Sequence, residues 1–346
     1  MTSIHRRKVL QAVAASSTAL FAGMPAIVLG QTATKWRVQT LWGAGEDTFK
    51  FFEEFAEKVK VNTGGRLEIQ TFAAGAVVGA FETLDAVGQI VLQGQSTYPG
   101  YWAGKEPALA VIGDFAFGYR TPEQQNRWLN EKGGMDMLRK AYQRFNVHTV
   151  GATWWGVESL TSKKPIRRPE DFKGIKHRGA QGIASETIAK MGASIVVLPG
   201  GEAYSALDKG IVDCVDWSTL SVNAKIGFFE IAKYATFPGF HSMPIQDFTV
   251  NANAWKNLPD DVKQILERTW REFSTSQVSR IADNDKRVAE EVKKKGVELV
   301  AWSDADLARA RQLAQGVVDE WASKGALAKQ AAESQRAFLR ELKLLA

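Results

Sequence analysis

The sequence predicts an α/β fold in two lobes, with crossing segments between them and helices at its C-terminal end. Three observations carry that expectation. The chain has 346 residues, and at roughly 100–200 residues per domain it is long enough for two lobes. Its hydrophobic content of 45% supplies cores of ordinary size. The third observation is the order of elements between Lys173 and Trp217. Ile175 to Arg178 reads as a strand, and Gly179 and Gly182 open a helix over Ile183 to Met191. Ser194 to Leu198 is a second strand, stopped by the turn Pro199-Gly200-Gly201; a helix follows from near Glu202, closed by Gly210. Ile211 to Val215 is a third strand, ending at Asp216-Trp217. In an open α/β sheet ligands bind where strands end and helices begin. A cation, a carboxylate and an aromatic face then converge on one crevice.

Residues 1–31 read as a targeting segment. His5-Arg6-Arg7-Lys8 is a charged start with paired arginines, and Ala12 to Leu29 is apolar but broken by Ser16, Ser17 and Pro25. That is a signal peptide similar to twin-arginine export signals, with Val9-Leu10 where Phe-Leu is usual, rather than a spanning helix. Lys35 to Leu41 alternates and is the first strand. Asp47 to Val61 is an amphipathic helix with Phe51, Phe52, Phe55 and Val59 on one face, ended by Gly64-Gly65. Arg66 to Phe72 is a strand, Phe81 to Val91 a helix, and Gln95 to Tyr98 a short strand. Pro122 to Phe145 is helical. Val147 to Val150 is a strand, and Gly151 to Glu158 is the first crossing between lobes. Residues 218–235 read as mostly helical, and Phe248 to Asn251 as a strand leading back. Pro259 suits the first turn of a helix reaching to Lys295. Val297 to Trp302 is a last strand, and Ser303 to Asp306 resembles a capping box. The expected organisation is lobe I over 32–157, lobe II over 158–245, a return to lobe I with the long helix over 246–302, and terminal helices over 303–346.

Composition excludes several functions. The formal net charge is +6, and discounting Arg6, Arg7 and Lys8 leaves about +3, too little and too evenly spread for nucleic-acid binding. Cys214 is the only cysteine, so no intramolecular disulfide and no cysteine metal cluster can form. It reads as a buried thiol in a strand. The four histidines, His5, His148, His177 and His241, lack metal-ligand spacing. No His-Glu-x-x-His, Gly-x-Ser-x-Gly, Walker or dinucleotide motif occurs, and no covalent chemistry is expected.

Arg178 reads either as an anion anchor, since guanidinium pairs with a carboxylate bidentately, or as a surface arginine after Lys176 and His177. Asp216-Trp217 forms a pocket edge or caps the next helix. Trp154-Trp155 forms a pocket wall or a core pair. Eleven tryptophans favour an aromatic-lined pocket.

Asp171 to Arg178 (DFKGIKHR), Met191 to Tyr204, Ala206 to Asp213, Gly75 with Phe81 to Val87, and Tyr101 to Gly118 together resemble the periplasmic solute-binding subunit of tripartite ATP-independent periplasmic (TRAP) transporters. Asp216-Trp217 and Pro238 to His241 are most similar to the branch that binds 2-oxo and hydroxy acids. The resemblance implies a two-lobed periplasmic binding protein fold that closes on a small organic acid, captured in the periplasm and passed to membrane permease subunits. Arg178 matches the arginine that pairs with the carboxylate. Asp216 and Trp217 match an acid–Trp pair that helps hold a bridging cation, Na or Ca, and Ser242 stands where that branch has a second acid. Trp155 falls near a ligand-contacting glutamine. Trp155 and Trp217 are expected to exclude water, with Tyr98 and Tyr101 contributed by the first lobe. Glu158 stands near a second arginine of sialic-acid and dicarboxylate binders. As an ionised group it would repel a second ligand carboxylate by about 4 kcal/mol at about 4 Å. The alternatives are an amine or zwitterion held by Glu158 or Asp216, a sensory receptor, and a secreted enzyme acting on an acidic substrate.

Overall fold

The structure is a computed structural model that describes residues 33–345; the expected leader lies outside them. The strands in chain order are β1 (Thr34–Thr40), β2 (Leu67–Phe72), β3 (Gly94–Thr97), β4 (Val147–Trp154), β5 (Thr161–Ser162) and β6 (Lys176–Gly179). They continue with β7 (Ser194–Val197), β8 (Cys214–Val215), β9 (Tyr234–Thr236), β10 (Ile245–Asn251) and β11 (Glu298–Val300). One sheet has the order β2-β1-β3-β10-β4 and the other β11-β9-β5-β8-β6-β7. The α/β class holds, and each sheet mixes parallel and antiparallel pairs: β1 runs parallel to β2 and β3, while β10 runs antiparallel to β3 and β4.

The first sheet is backed by the helix Asp47–Asn62, whose Phe51, Phe52, Phe55 and Val59 are all buried. Phe55 lies 5.6 Å from Phe248 of β10 and 5.3 Å from both Trp270 and Phe273 of the long helix. Gly64 and Gly65 end the helix at φ +62° and +78°. Their N–H groups reach back to Val61 O and Lys60 O, satisfying carbonyls that a helix end leaves open.

The long helix spans Asp260–Lys294, about 50 Å at 1.5 Å per residue. It serves both sheets. Trp270 and Phe273 pack with the first, whereas Val288, Ala289 and Val292 join Leu220, Phe229 and Ala235 in a separate core beside the second. The terminal helices Asp304–Ala322 and Ala326–Glu341 divide in the same way. Trp321 Nε1 donates to Glu186 of the helix Ile183–Lys190 at 3.0 Å, and Gln335 Nε2 donates to Val111 O at 2.7 Å.

Several elements differ from expectation. The helix expected over Phe81 to Val91 is confined to Thr83–Gly88, and Val91 is exposed. Pro122 to Phe145 breaks into Pro122–Glu131 and Gly134–Tyr142 at Gly133, whose φ of +85° no helix accommodates. β4 continues to Trp154, so the chain leaves the first sheet at 155–160 rather than at Gly151. The segment 218–235 holds two short helices and the unexpected strand β9. The strand near 297–302 pairs with β9 in the second sheet, so the segment 246–302 contributes to both sheets. Short apolar runs look alike in sequence whichever sheet receives them. No helix among the described residues is long and apolar enough to cross a membrane.

Candidate functional site

Two chain passages between the sheets, 155–160 and 237–244, run side by side. Glu158 N–H donates to Ser242 O at 3.0 Å. A Cβ on Gly239 would stand 2.1 Å from Glu158 O, so only glycine permits this approach. Against these passages come the C-terminal ends of β1, β3, β6 and β8. Together they enclose a cavity of about 40 Å³ lined by Tyr98, Tyr101, Trp155, Glu158, Arg178, Asp216, Trp217 and Ser242, with Leu41, Asp114 and the start of the helix Ile183–Lys190. At about 10–15 Å³ per water-sized probe position, this is room for a few small groups. Every site residue singled out from the sequence lines it.

Arg178 ends β6 in register with Val215 of β8 and Val196 of β7. Its side chain is 2% exposed. Nε and Nη2 donate to Leu198 O at 3.0 and 2.6 Å, and Nη1 donates to Asp216 O. It also donates to the Tyr101 hydroxyl and sits 5.5 Å from the Trp217 ring centre. These partners are neutral, and among the described residues no carboxylate pairs with Arg178 within 4.0 Å. A buried, permanently charged guanidinium without a counter-ion is costly unless an anion completes it.

Trp217 packs against the turn after β7: a Cβ on Gly200 would fall 1.6 Å from its ring. Trp42 meets Trp155 at 5.1 Å and Trp217 at 5.6 Å, both edge-on, the geometry favoured by ring quadrupoles. Trp155 therefore belongs to the cavity wall. Its neighbour Trp154 points into the core, donating to Gln125 at 2.7 Å.

The acids behave differently from one another. Burial works against ionisation of Asp216, but His241, then His177 and a hydrogen bond from Glu158, outweigh it and hold the carboxyl well below its usual range. Its Oδ1 lies 3.0 Å from His241 Nε2. Burial, and next the Asp216 charge, push Glu158 well upward, so the proton stays on Glu158. The upward shift weakens the repulsion of a second ligand carboxylate expected at Glu158, and equally weakens its attraction for an ammonium group. Trp155 Nε1 donates to its Oε1 at 3.1 Å.

Three residues escaped the sequence reading. Asp114 accepts from Ser242 Oγ at 2.8 Å and from Met243 N–H at 3.2 Å, and burial raises it to about 6. The Ser242 hydroxyl is thus turned to Asp114, with Glu158 as a second neighbour. Glu46 accepts from Gly43 N–H at 2.7 Å and from the Trp217 indole, and burial lifts it to about 7. His241, set aside for want of spacing, is fully buried against Asp216. Their signal was weak: single residues at loop edges, brought together from positions far apart in the chain. Ligand atoms of Glu158, Asp216 and His241 all lie within 4.8 Å of one another. That set fits a cation, with a nitrogen donor where Ser242 was expected.

Comparison with known proteins agrees with this architecture. A monocarboxylate 2-oxoacid-binding periplasmic protein of Nostoc sp. is 32% identical over 98% of this chain and 95% of its own length. A TRAP periplasmic solute-binding protein of Pseudoalteromonas atlantica with bound sodium and pyruvate is 25% identical, with a TM-score of 0.82 over 90% of this chain and 95% of that one. The apo open structure of a TRAP periplasmic solute-binding protein of Rhodobacter sphaeroides is 29% identical, with a TM-score of 0.73 over 90% of this chain and all of that one. Residues 38–324 match the family described as bacterial extracellular solute-binding protein, family 7. With two sheets, strand ends gathered at a small cavity and these matches, the chain belongs to that family of solute-binding proteins.

Proposed function

We propose that the protein captures a small 2-oxo or 2-hydroxy monocarboxylate outside the cytoplasm and delivers it to the permease subunits of a TRAP transporter. The observation that carries this reading is Arg178: buried, held by neutral oxygens, and facing a cavity of about 40 Å³. Its bond network fixes the guanidinium plane and leaves N–H capacity for one carboxylate. The small volume favours a ligand of a few heavy atoms, and Tyr98, Trp155 and Trp217 keep water from the ion pair.

Glu158 donates its one proton to Asp216 and so holds that carboxylate at the cavity wall. A cation held there would displace the Glu158 proton, with Glu158 and Asp216 supplying oxygens and His241 a nitrogen, and would neutralise charge on the ligand's oxygens. The amine reading has less support, because Asp216 already accepts from His241 and Glu158 keeps its proton.

Capture works by lobe closure. The cavity walls come from both sheets and both crossings, so a ligand touching all of them stabilises the closed arrangement by its differential affinity. The better superposition on the pyruvate-bound relative than on the apo open one, despite lower identity, supports a closed form here. Periplasmic residence follows from the family and from the expected leader. The test is mass spectrometry of ligand released from the denatured purified protein, followed by calorimetric titration. A small monocarboxylate bound by the wild type and not by Arg178→Ala supports the reading. An amino acid or a neutral solute overturns it.

A further inference from the structure

Tyr101 and Gln181 border two cavities at once. The inner one is the cavity of about 40 Å³ at Arg178; the outer one measures about 270 Å³. Tyr101 follows β3 of the first sheet and Gln181 follows β6 of the second, so the partition draws on both sheets. Its two halves are held differently. The Tyr101 hydroxyl takes a hydrogen bond from Arg178, and its ring meets Tyr98 at 5.6 Å and Phe81 at 4.9 Å, both edge-on. Gln181 is exposed, and no hydrogen bond fixes its side chain among the described residues. The outer wall is apolar: Phe81, the Tyr101 ring, Trp102 and Val197. Trp102 spends its indole N–H on Phe81 O at 3.1 Å. Lys105 brings the one charge among the described residues of this wall, and both oxygens of Asp85 hold its Nζ at 2.6 and 2.5 Å. Val197 ends the edge strand β7 and is 50% exposed. The outer cavity thus offers rings and a bare valine, and no unpaired charge.

We propose that the outer cavity receives the carbon tail of the captured acid, so that the protein selects monocarboxylates with an uncharged apolar tail longer than a methyl group over pyruvate. The inner cavity has room for a few small groups, which a carboxylate on Arg178 and a 2-oxygen already fill. A longer chain leaves between Tyr101, which stays in place, and Gln181, whose free side chain turns aside. Beyond them it lies on Phe81, Trp102 and Val197. Each methylene taken from water there strengthens binding by about fourfold before the cost of ordering the tail. A second carboxylate at the tail's end would lose its water against the rings while the Lys105 charge is already paired, so a dicarboxylate of the same length gains nothing. The proposal rests on the monocarboxylate reading above and narrows it.

The experiment is calorimetric titration of the full mature chain with pyruvate, 2-oxopentanoate, 4-methyl-2-oxopentanoate and 2-oxoglutarate in one buffer. The 4-methyl acid is expected to bind about tenfold or more tighter than pyruvate, and 2-oxoglutarate more weakly than 2-oxopentanoate. Gly104→Leu then fills the outer cavity alone. Gly104 lines only that cavity of the two, and its added Cβ would stand 3.5 Å from Gln181 Oε1, an ordinary contact. The variant should lose the preference for the tailed acids and keep pyruvate affinity within about twofold. If it fails to fold by circular dichroism, Val197→Trp on the exposed edge strand fills the same cavity and decides the matter. Tailed acids that bind no tighter than pyruvate overturn the tail site, as does a preference that survives the filled cavity. A variant that loses pyruvate and the tailed acids alike also overturns it. All three results leave the monocarboxylate reading intact. Absence of binding by all four acids overturns that reading itself, and the tail site with it.

Discussion

Two buried charged centres in this protein are built alike and finished differently. In the first sheet Asp247 is fully buried; it accepts from the Tyr142 hydroxyl and from Thr97 Oγ1 at 3.4 Å. At the junction of the sheets Arg178 is just as deep, yet its fixed charge meets only neutral oxygens and a cavity. Burial pushes Asp247 up to about 7, so it can shed its charge by taking a proton. Arginine has no such escape. A buried group whose needs are met locally serves the fold, and one that stays charged beside a cavity can still take an anionic partner. Depth alone distinguishes nothing; the partner list does.

The largest expected effect breaks the Arg178 side. Arg178→Ala should lower affinity for a 2-oxo monocarboxylate by one to several decades, since each charge-assisted hydrogen bond contributes about 1.5–3 kcal/mol. Calorimetric titration with unchanged circular dichroism reads it; wild-type affinity would remove Arg178 from the site. Asp247→Ala should do the reverse. It leaves the buried Tyr142 hydroxyl without its acceptor, a loss of about 1–3 kcal/mol of folding stability, with affinity unchanged. Urea unfolding and titration of the same sample separate the two quantities, and a variant that loses affinity at full stability would erase the contrast.

Next in size is a pH effect. Asp247 has a folded value near 7 against an ordinary 3.8, so the folded state holds a proton that the unfolded state has lost. Its contribution is present below about pH 4 and fades as pH rises toward about 7. Glu46 and Asp114, raised to about 7 and about 6, add the same sign. His148 and His177, lowered to about 4 by burial first, oppose it, since they lose stability as pH falls from 6.5 toward 4. Asp247→Asn should flatten the decline in melting temperature between about pH 4 and 7. An unaltered slope would mean Asp247 is ionised in the fold. The smallest effect sharpens the cavity wall: Trp155→Phe removes the bond to Glu158 and should reduce affinity by about 0.5–1.5 kcal/mol, read by calorimetry.

The contrast also explains what was legible beforehand. Arg178 and Asp216-Trp217 stood out because each closes a strand before a turn, and the strand–helix alternation of 173–217 survives in β6, β7 and β8 with shifts of a residue or two. Only the third strand shortened much, from Ile211–Val215 to Cys214–Val215. Asp114 and His241 gave no such signal. One caps the helix Pro107–Gly113 and the other lies in a crossing loop, and acids and histidines are ordinary in both places.

By itself the sequence determined the elements and their faces, because helix and strand periodicities are local properties set by side-chain direction. It also determined the residue types at strand ends, and through them the arginine proposed to bind a carboxylate. Tertiary structure decided which sheet received β9 and β11, why the long helix serves both sheets, and how Glu158, Asp216 and His241 meet across 83 residues of chain. It decided the charges as well. Whether Glu158 carries a proton depends on the burial and the neighbouring carboxylate that folding supplies, and neither is written at position 158.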